Sequence, residues 1–163
     1  MSQNALLRSG KGLETPGTTR KEKQYAAVTP PPPADADERD DHFVVRNGVR
    51  CAGAHLIVDL YNASRLDDLD HIEGTLRACV DAAGATLLHI HLHHFEPNGG
   101  VSGVAVLAES HISIHSWPEH DYAALDIFMC GNANPDACVP VLRQAFSPKK
   151  IAVSELMRGQ GAA

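Results

Sequence analysis

The sequence lacks long apolar runs and concentrated positive charge. Its longest uninterrupted apolar runs, such as residues 104–108, are far too short to cross a lipid bilayer, and the N-terminal stretch lacks the apolar core of a signal peptide. The formal net charge is -6, and no cluster of lysines and arginines is interleaved with aromatic side chains. These absences argue against a membrane protein and against a nucleic-acid partner, so we expect a cytoplasmic protein.

The sequence also lacks paired cysteine motifs. Four cysteines are present, and no two of them have the C-x-x-C spacing of a metal site or a redox pair. Disulfides are disfavoured in the cytosol. We therefore expect free thiols at Cys51, Cys79, Cys130 and Cys138.

Histidines are concentrated in the stretch T-L-L-H-I-H-L-H-H-F, residues 86–95. On a strand, His89, His91 and His93 would point to one face, where imidazoles can converge on a metal ion, and Leu88, Ile90 and Leu92 would point to the opposite, inward face. A closed site needs about four ligands in suitable geometry, and no H-E-x-x-H or C-x-x-C motif accompanies these residues. We therefore predict no metal and interpret the histidines as a polar sheet face at a subunit contact or pocket edge.

The composition changes sharply near residue 42. Residues 1–41 hold few large apolar side chains, four consecutive prolines at 30–33 and an acidic run at 35–41. Such a segment buries too little surface to offset the entropy lost on ordering. We predict a flexible N-terminal tail over 1–41, with a docking arm as the alternative, followed by a single domain over 42–163.

Hydrophobic periodicity predicts an α+β fold. Alternating residues indicate strands, and apolar residues at steps of three and four indicate helices. The strands are predicted at 54–61, 86–95, 101–108, 110–117, 122–130 and 149–157, and the helices at 66–83 and 136–146. Short gaps between strands favour antiparallel neighbours. The order predicts a two-layer α/β sandwich of two similar halves, with both helices on one face of an antiparallel sheet.

Reactive side chains are concentrated between residues 98 and 131, around Glu109-Ser110-His111. A hydrolase would place its serine in G-x-S-x-G, whereas Ser110 lies in A-E-S-H-I, so a serine triad is weakly supported. Ser110 and His115 lie five residues apart and point to opposite faces of a strand unless the chain bends or breaks between them. Taken singly, Cys130 is more typical of a buried thiol and Trp117 of a core side chain.

The joint spacing of these residues resembles the prokaryotic S-adenosylmethionine decarboxylases. The matching patterns are G-V-S-G-x-x-x-x-A-E-S-H-x-S-I-H-S-W-P-E and A-A-L-D-I-F-M-C-G, within a resemblance that covers roughly residues 53–157. This resemblance implies a zymogen that cleaves itself between Glu109 and Ser110. The products would be a β chain, 1–109, and an α chain, 110–163, whose first residue has become a pyruvoyl cofactor.

The resemblance also implies individual roles for the site residues. Ser110 would attack the Glu109 carbonyl and, once converted to the pyruvoyl group, form a Schiff base with the substrate. His115 would be the proton acceptor in processing, Ser102 would support the oxyanion, and Cys130 would be the proton donor in catalysis. Substrate binding would involve Glu119 at the ribose hydroxyls, and Phe95 and Trp117 at the adenine or sulfonium group.

The implied activity is a lyase reaction that supplies decarboxylated S-adenosylmethionine, the aminopropyl donor for spermidine biosynthesis, from a homodimer with sites at its interface. One alternative is a pyruvoyl-dependent ornithine or arginine decarboxylase, since Ser110, His115 and Cys130 would serve any amino acid. Trp117 and Glu119 favour a nucleoside substrate instead. A non-catalytic binding protein on the same scaffold would tolerate loss of Ser110 or Cys130, and both are present.

Overall fold

The computed structural model describes residues 42–162, so the predicted flexible tail at 1–41 lies outside the described residues. The described chain contains eight strands and two α-helices. In chain order they are β1 (Val44–Arg46), β2 (Val49–Cys51), β3 (Gly53–Tyr61), α1 (Leu69–Ala83), β4 (Leu87–His94), β5 (Val101–Leu107), β6 (Ser110–Trp117), β7 (Tyr122–Met129), α2 (Cys138–Phe146) and β8 (Lys150–Arg158).

Six strands form one antiparallel sheet in the order β4-β5-β6-β7-β3-β8. Every second residue of each strand points to the helix side, where Leu56, Ile112 and Leu125 join Ile72 of α1 and Leu142 of α2 in one buried core. Burial of this apolar face is the main stabilising contribution. The predicted α+β fold, a sheet with both helices packed on one face, is confirmed.

Each half of the predicted order contains one helix that links two strands running in the same direction. The helix α1 joins β3 to β4, and α2 joins β7 to β8. Three strands lie between β3 and β4 in the sheet, whereas one lies between β7 and β8. No helix in residues 42–162 combines the length and apolarity that a bilayer span requires.

The helix α1 begins later than its periodicity predicts. Asp68 is the N-cap residue, and its carboxylate accepts the backbone N–H of His71 at 3.0 Å. The predicted start at Leu66 was therefore early: Leu66 is buried but precedes the cap. The predicted end is confirmed, because Gly84 adopts a left-handed conformation with φ 69° and closes the last turn.

The strand β4 contains an irregularity that reverses part of the predicted alternation. A register shift separates Leu87 from His89, and Leu88 is 64% exposed. The expectation that Leu88 shares the inward face with Ile90 was therefore wrong, and Leu87 packs against the core instead. A β-bulge places one extra residue in a strand, so the side chains before it change faces.

A short hairpin, β1–β2, precedes the sheet and was missed in the sequence. Asn47 and Gly48 both have positive φ, 52° and 77°, as a two-residue hairpin turn requires. The side chain of Arg46 forms ion pairs with Asp136 and Glu155. The Asn-Gly pair between valine-rich segments is a hairpin signal that sequence reading can detect.

Candidate active site

The strand β6 is paired without a register shift and carries predicted site residues at both of its ends. Ser110, Ile112 and Ile114 point to the helix side, whereas His111 and His115 point to the opposite, outward face. Five residues of extended chain span about 17 Å. The predicted strand at 110–117 is confirmed, and it keeps Ser110 and His115 apart on opposite faces.

The first group of predicted residues is a cleavage cluster, which we define as Glu109, Ser110 and Cys130. The Cys130 thiol donates to the carbonyl oxygen of Glu109 at 2.8 Å, and the Cys130 backbone N–H donates to Ser110 Oγ at 3.3 Å. The Ser110 side chain is only 8% exposed, and its Oγ lies 3.6 Å from Cys130 Sγ. Cys130 thus contacts groups on both sides of the Glu109–Ser110 peptide bond.

The turn that carries the cleavage cluster is strained. Ala108 and Glu109 connect β5 to β6 as a two-residue loop, and Glu109 has a φ of 61°. A non-glycine residue in this left-handed region costs roughly 1–3 kcal/mol. Such strain is maintained by the surrounding contacts, here including that of Cys130 with the Glu109 carbonyl.

The second group lies at the other end of β6, and we call it the aromatic pocket: Phe95, Ser102, His115, Trp117 and Glu119. These residues line a cavity of about 210 Å³. Ser102 on β5 lies directly opposite His115 on β6, and Ser102 Oγ is hydrogen-bonded to His115 Nδ1 at 2.8 Å. This hydrogen bond orients the imidazole ring of His115. It forms because the register of β5 and β6 places the two residues opposite each other.

A tyrosine that sequence reasoning missed supports the aromatic pocket. The ring of Tyr122 stacks on Trp117 with centroids 5.4 Å apart, and its hydroxyl donates to Asp59 at 2.5 Å. The carboxylate of Asp59, aided by burial, raises the pKa of Tyr122 to about 12. Asp59 lies on β3 and Tyr122 on β7. In the sequence, only the alternation that places both side chains on the outward face could have suggested the contact.

The outward face also carries a polar network between the two groups. Asp126 contacts His55 Nε2 and accepts from Ser113 Oγ, both at 3.2 Å. Burial, together with the neighbouring His55, lowers the pKa of His111, while Asp126 acts in the opposite direction. These side chains come from three strands that adjoin only in the folded sheet.

Within residues 42–162, no three His, Cys, Asp or Glu side chains are grouped closely enough to hold a metal ion. His89, His91 and His93 do line the outward face of the edge strand β4. A groove of about 530 Å³ lies elsewhere, between α1 and α2, and contains none of the predicted site residues.

Comparison with known proteins identifies one family. Residues 54–159 match the family model described as S-adenosylmethionine decarboxylase. The chain is similar to a protein named S-adenosylmethionine decarboxylase proenzyme from Thermomicrobium roseum, with 45% identity over 112 residues, or 68% of this chain and 97% of the relative. A protein of the same name from Methanococcus aeolicus is 46% identical over 66% of this chain and 93% of its own length.

The fold also resembles a solved structure. The adenosylmethionine decarboxylase crystal structure from Aquifex aeolicus superposes with a TM-score of 0.59 and 34% sequence identity. The match covers 66% of this chain and 90% of that one. The likeness therefore extends over nearly the whole of the smaller protein.

Proposed function

Because this chain belongs to the S-adenosylmethionine decarboxylase family, we propose that it removes the α-carboxylate of S-adenosylmethionine as carbon dioxide. The product retains its aminopropyl chain on sulfur, and we propose that it is the aminopropyl donor for spermidine biosynthesis. The observation that carries the proposal is the contact of Cys130 with both the Glu109 carbonyl and the Ser110 hydroxyl. Ornithine and arginine are not favoured, because the matching relatives are named for S-adenosylmethionine.

We propose that the chain first cleaves itself into 1–109 and 110–163. Ser110 Oγ bonds to the carbonyl carbon of Glu109, and the C–N bond breaks to leave an ester and a free amine. A base then removes the α-hydrogen of residue 110, and the Glu109 carboxylate leaves. Water finally replaces the nitrogen, ammonia departs, and a pyruvoyl group begins the α chain.

Cys130 has the geometry to act in both stages. Its thiol donates to the Glu109 carbonyl oxygen, where negative charge develops as Ser110 attacks. After cleavage the same thiol lies beside residue 110, so it can protonate the α-carbon of the substrate once carbon dioxide has left. The two roles require no movement of the thiol between sites.

The residues at the start of β6 fit the formation of a pyruvoyl group, because the precursor serine is buried beside the thiol in a strained turn. When formed, the group supplies a carbonyl that binds the substrate amine and withdraws electrons from the bond to its carboxylate.

The aromatic pocket supports a nucleoside substrate. Trp117, held against Tyr122, offers a flat face for adenine or the sulfonium cation, and Phe95 is 48% exposed nearby. The Glu119 carboxylate lines the same cavity and can accept hydrogen bonds from two ribose hydroxyls. His115, oriented by Ser102, would be the processing base.

We further propose that the active form is a homodimer in which each site combines groups from two chains. His115 and Ser110 of one chain are about 17 Å apart along the extended strand β6. A base at that distance cannot reach the α-hydrogen of residue 110 in its own chain. A twofold-related copy can present its aromatic pocket to the cleavage cluster, and the twofold axis completes both sites at once.

The outward sheet face has the composition of such an interface. Ile57, Val106, Trp117 and Leu156 lie on this face with exposed fractions of 38, 39, 40 and 48%. Both helices pack on the other face, so these apolar side chains are left at the surface of the single chain. Exposed apolar patches of this kind are typical of protein contact surfaces.

We also propose a cytoplasmic location. All four cysteines are free thiols, as expected in a reducing compartment.

The proposed reaction is tested by incubating the purified, cleaved protein separately with carboxyl-labelled S-adenosylmethionine, ornithine and arginine and measuring labelled carbon dioxide. We expect release only from S-adenosylmethionine. Glu119→Gln should retain self-cleavage but lose about 10- to 100-fold in turnover, because charged hydrogen bonds contribute roughly 1.5–3 kcal/mol each. Carbon dioxide from ornithine or arginine alone would transfer the assignment to that alternative.

A further inference from the structure

One residue outside the matched family range contacts both sides of the cleavage cluster. His42 Nε2 lies 3.1 Å from Glu109 Oε1, and the His42 backbone carbonyl accepts the N–H of Gly131 at 2.8 Å. Glu109 carries the scissile carbonyl, and Gly131 directly follows Cys130. The family match begins only at residue 54.

The close approach of His42 to this loop and the positive φ of Gly131 together favour glycine at position 131. Gly131 has a φ of 59°, and a Cβ at this position would lie 3.3 Å from the His42 ring. The same residues, with Ala108 and Thr86, line a cavity of about 190 Å³ beside the cleavage cluster. The ring of His42 thus forms part of the wall around the reactive turn.

The hairpin β1–β2 begins just after His42 and is itself anchored. Arg46 pairs with Asp136, next to α2, and with Glu155 on β8. The backbone N–H of Ala52 then donates to Arg158 at 2.8 Å, which joins the end of the hairpin to the edge of the sheet. These contacts limit the positions that His42 can take.

The Glu109 side chain needs such a partner because its backbone is strained. The φ of Glu109, 61°, sets the direction of its carbonyl, which accepts from the Cys130 thiol, so a change toward an ordinary backbone conformation would alter that contact. The contact of His42 Nε2 with the Glu109 carboxylate, at 3.1 Å, opposes that change. The second contact, to Gly131, fixes the position of the thiol on the other side.

We propose that His42 is a positioning residue for self-cleavage. It holds the Glu109 carbonyl and the Cys130 thiol in the relative position that attack by Ser110 requires. This inference rests on the proposed function. The attacking hydroxyl, the oxyanion donor and the base are other residues, so His42 acts on the rate through geometry alone.

The test follows cleavage of the full chain over time after cell-free synthesis, on denaturing gels. His42→Leu removes the nitrogen donor but keeps the backbone carbonyl, and we expect cleavage about two- to fivefold slower, as for loss of a half-exposed ion pair. His42→Gln retains an N–H donor and should restore most of the rate. In a Glu109→Ala background, His42→Leu should cause no additional slowing.

The matched control is Arg77→Leu, which removes an ion pair on α1 with side-chain exposures of 49% and 42%, against 50% and 53% for His42 and Glu109. It should cleave at the wild-type rate. Arg46→Leu removes the two ion pairs that hold the hairpin β1–β2 in place. It should therefore slow cleavage although His42 itself is unchanged.

Two results would overturn the positioning role: His42→Leu cleaving as fast as the wild type, or His42→Leu and Arg77→Leu slowing it equally. Thermal unfolding of His42→Leu in an uncleavable Ser110→Ala chain separates folding from chemistry, and we expect little change. A wild-type chain that never cleaves would instead refute the proposed function on which this inference rests.

Discussion

At the scale of single residues, we propose that Cys130 acts in two steps. Its thiol contacts the carbonyl that would accept charge in the proposed cleavage, and it lies beside residue 110, next to which the substrate would later be protonated. A thiol is a weak hydrogen-bond donor but a competent acid, so its two contributions differ in size. The first step needs only partial charge stabilisation, whereas the second needs a proton.

Cys130→Ala should therefore affect the two steps unequally. We expect self-cleavage to slow by about tenfold, below the range for a strong oxyanion donor. Decarboxylation by the cleaved chain should fall by at least about 100-fold, because a positioned acid is lost. Fragment formation on gels and carbon dioxide release per cleaved chain measure the two effects.

Cys51→Ala is the control for this substitution, since Cys51 is a buried thiol in β2 outside the cleavage cluster. It should leave both rates close to wild type. Normal turnover by Cys130→Ala would mean that Cys130 is only a buried thiol and that another group delivers the proton.

At the scale of elements, strand register decides which groups meet. Ser102 reaches His115 because β5 and β6 place them directly opposite each other on the outward face. A slip of one residue would turn Ser102 toward the core. Gly103, the next residue, permits this register, because a Cβ there would lie 2.3 Å from the carbonyl oxygen of His91 on β4.

Gly103→Ala should consequently lower the free energy of unfolding by about 1–3 kcal/mol, the usual effect of forcing an extra methyl group into a filled space. Gly74→Ala is the matched control: Gly74 lies within α1, and a Cβ there meets no atom within 4 Å. That change should raise the free energy of unfolding by about 0.5–1 kcal/mol.

Urea denaturation of both variants in an uncleavable Ser110→Ala chain measures the difference. Equal effects of the two substitutions would show that the contact of β4 with residue 103 imposes no steric limit.

At the scale of the whole molecule, the site is divided between two ends of one sheet. The cleavage cluster holds Ser110, the proposed nucleophile, and the Cys130 thiol, and the aromatic pocket holds His115 and the aromatic side chains. The eight-residue strand β6 separates the two groups, so the proposed mechanism needs the proposed dimer, which would also cover apolar surface.

Mixing two inactive chains tests this division. His115→Ala and Ser110→Ala should each fail to cleave alone, since one lacks the base and the other the nucleophile. In a mixed dimer the intact His115 of one chain faces the intact Ser110 of the other, so the His115→Ala chain should be cut. Differently tagged chains, co-expressed and resolved on gels, reveal which one is cleaved.

The control for mixing is a chain with both substitutions, which should not rescue His115→Ala. If His115→Ala remains uncut in every mixture, the composite site is wrong, and the base must come from the same chain.

Local pattern predicted most of the elements, and the exceptions have local causes. Alternation located β6 to the residue, and steps of three and four located both helices, because these periods decide which side chains a single element can bury. The error at Leu88 arose from a bulge, which leaves no mark in an apolar run. The hairpin at Asn47 and Gly48 was readable and was overlooked.

The sequence by itself determined the α+β class, the faces of the strands and, through motif spacing, the family. The roles of the site residues stay predictions. Only the tertiary structure decided that Ser102 meets His115, that Tyr122 meets Asp59 and that His42 meets Glu109. The physical reason is that periodicity records which face of an element is buried, whereas strand order and the contacts it creates depend on packing between segments far apart in the chain.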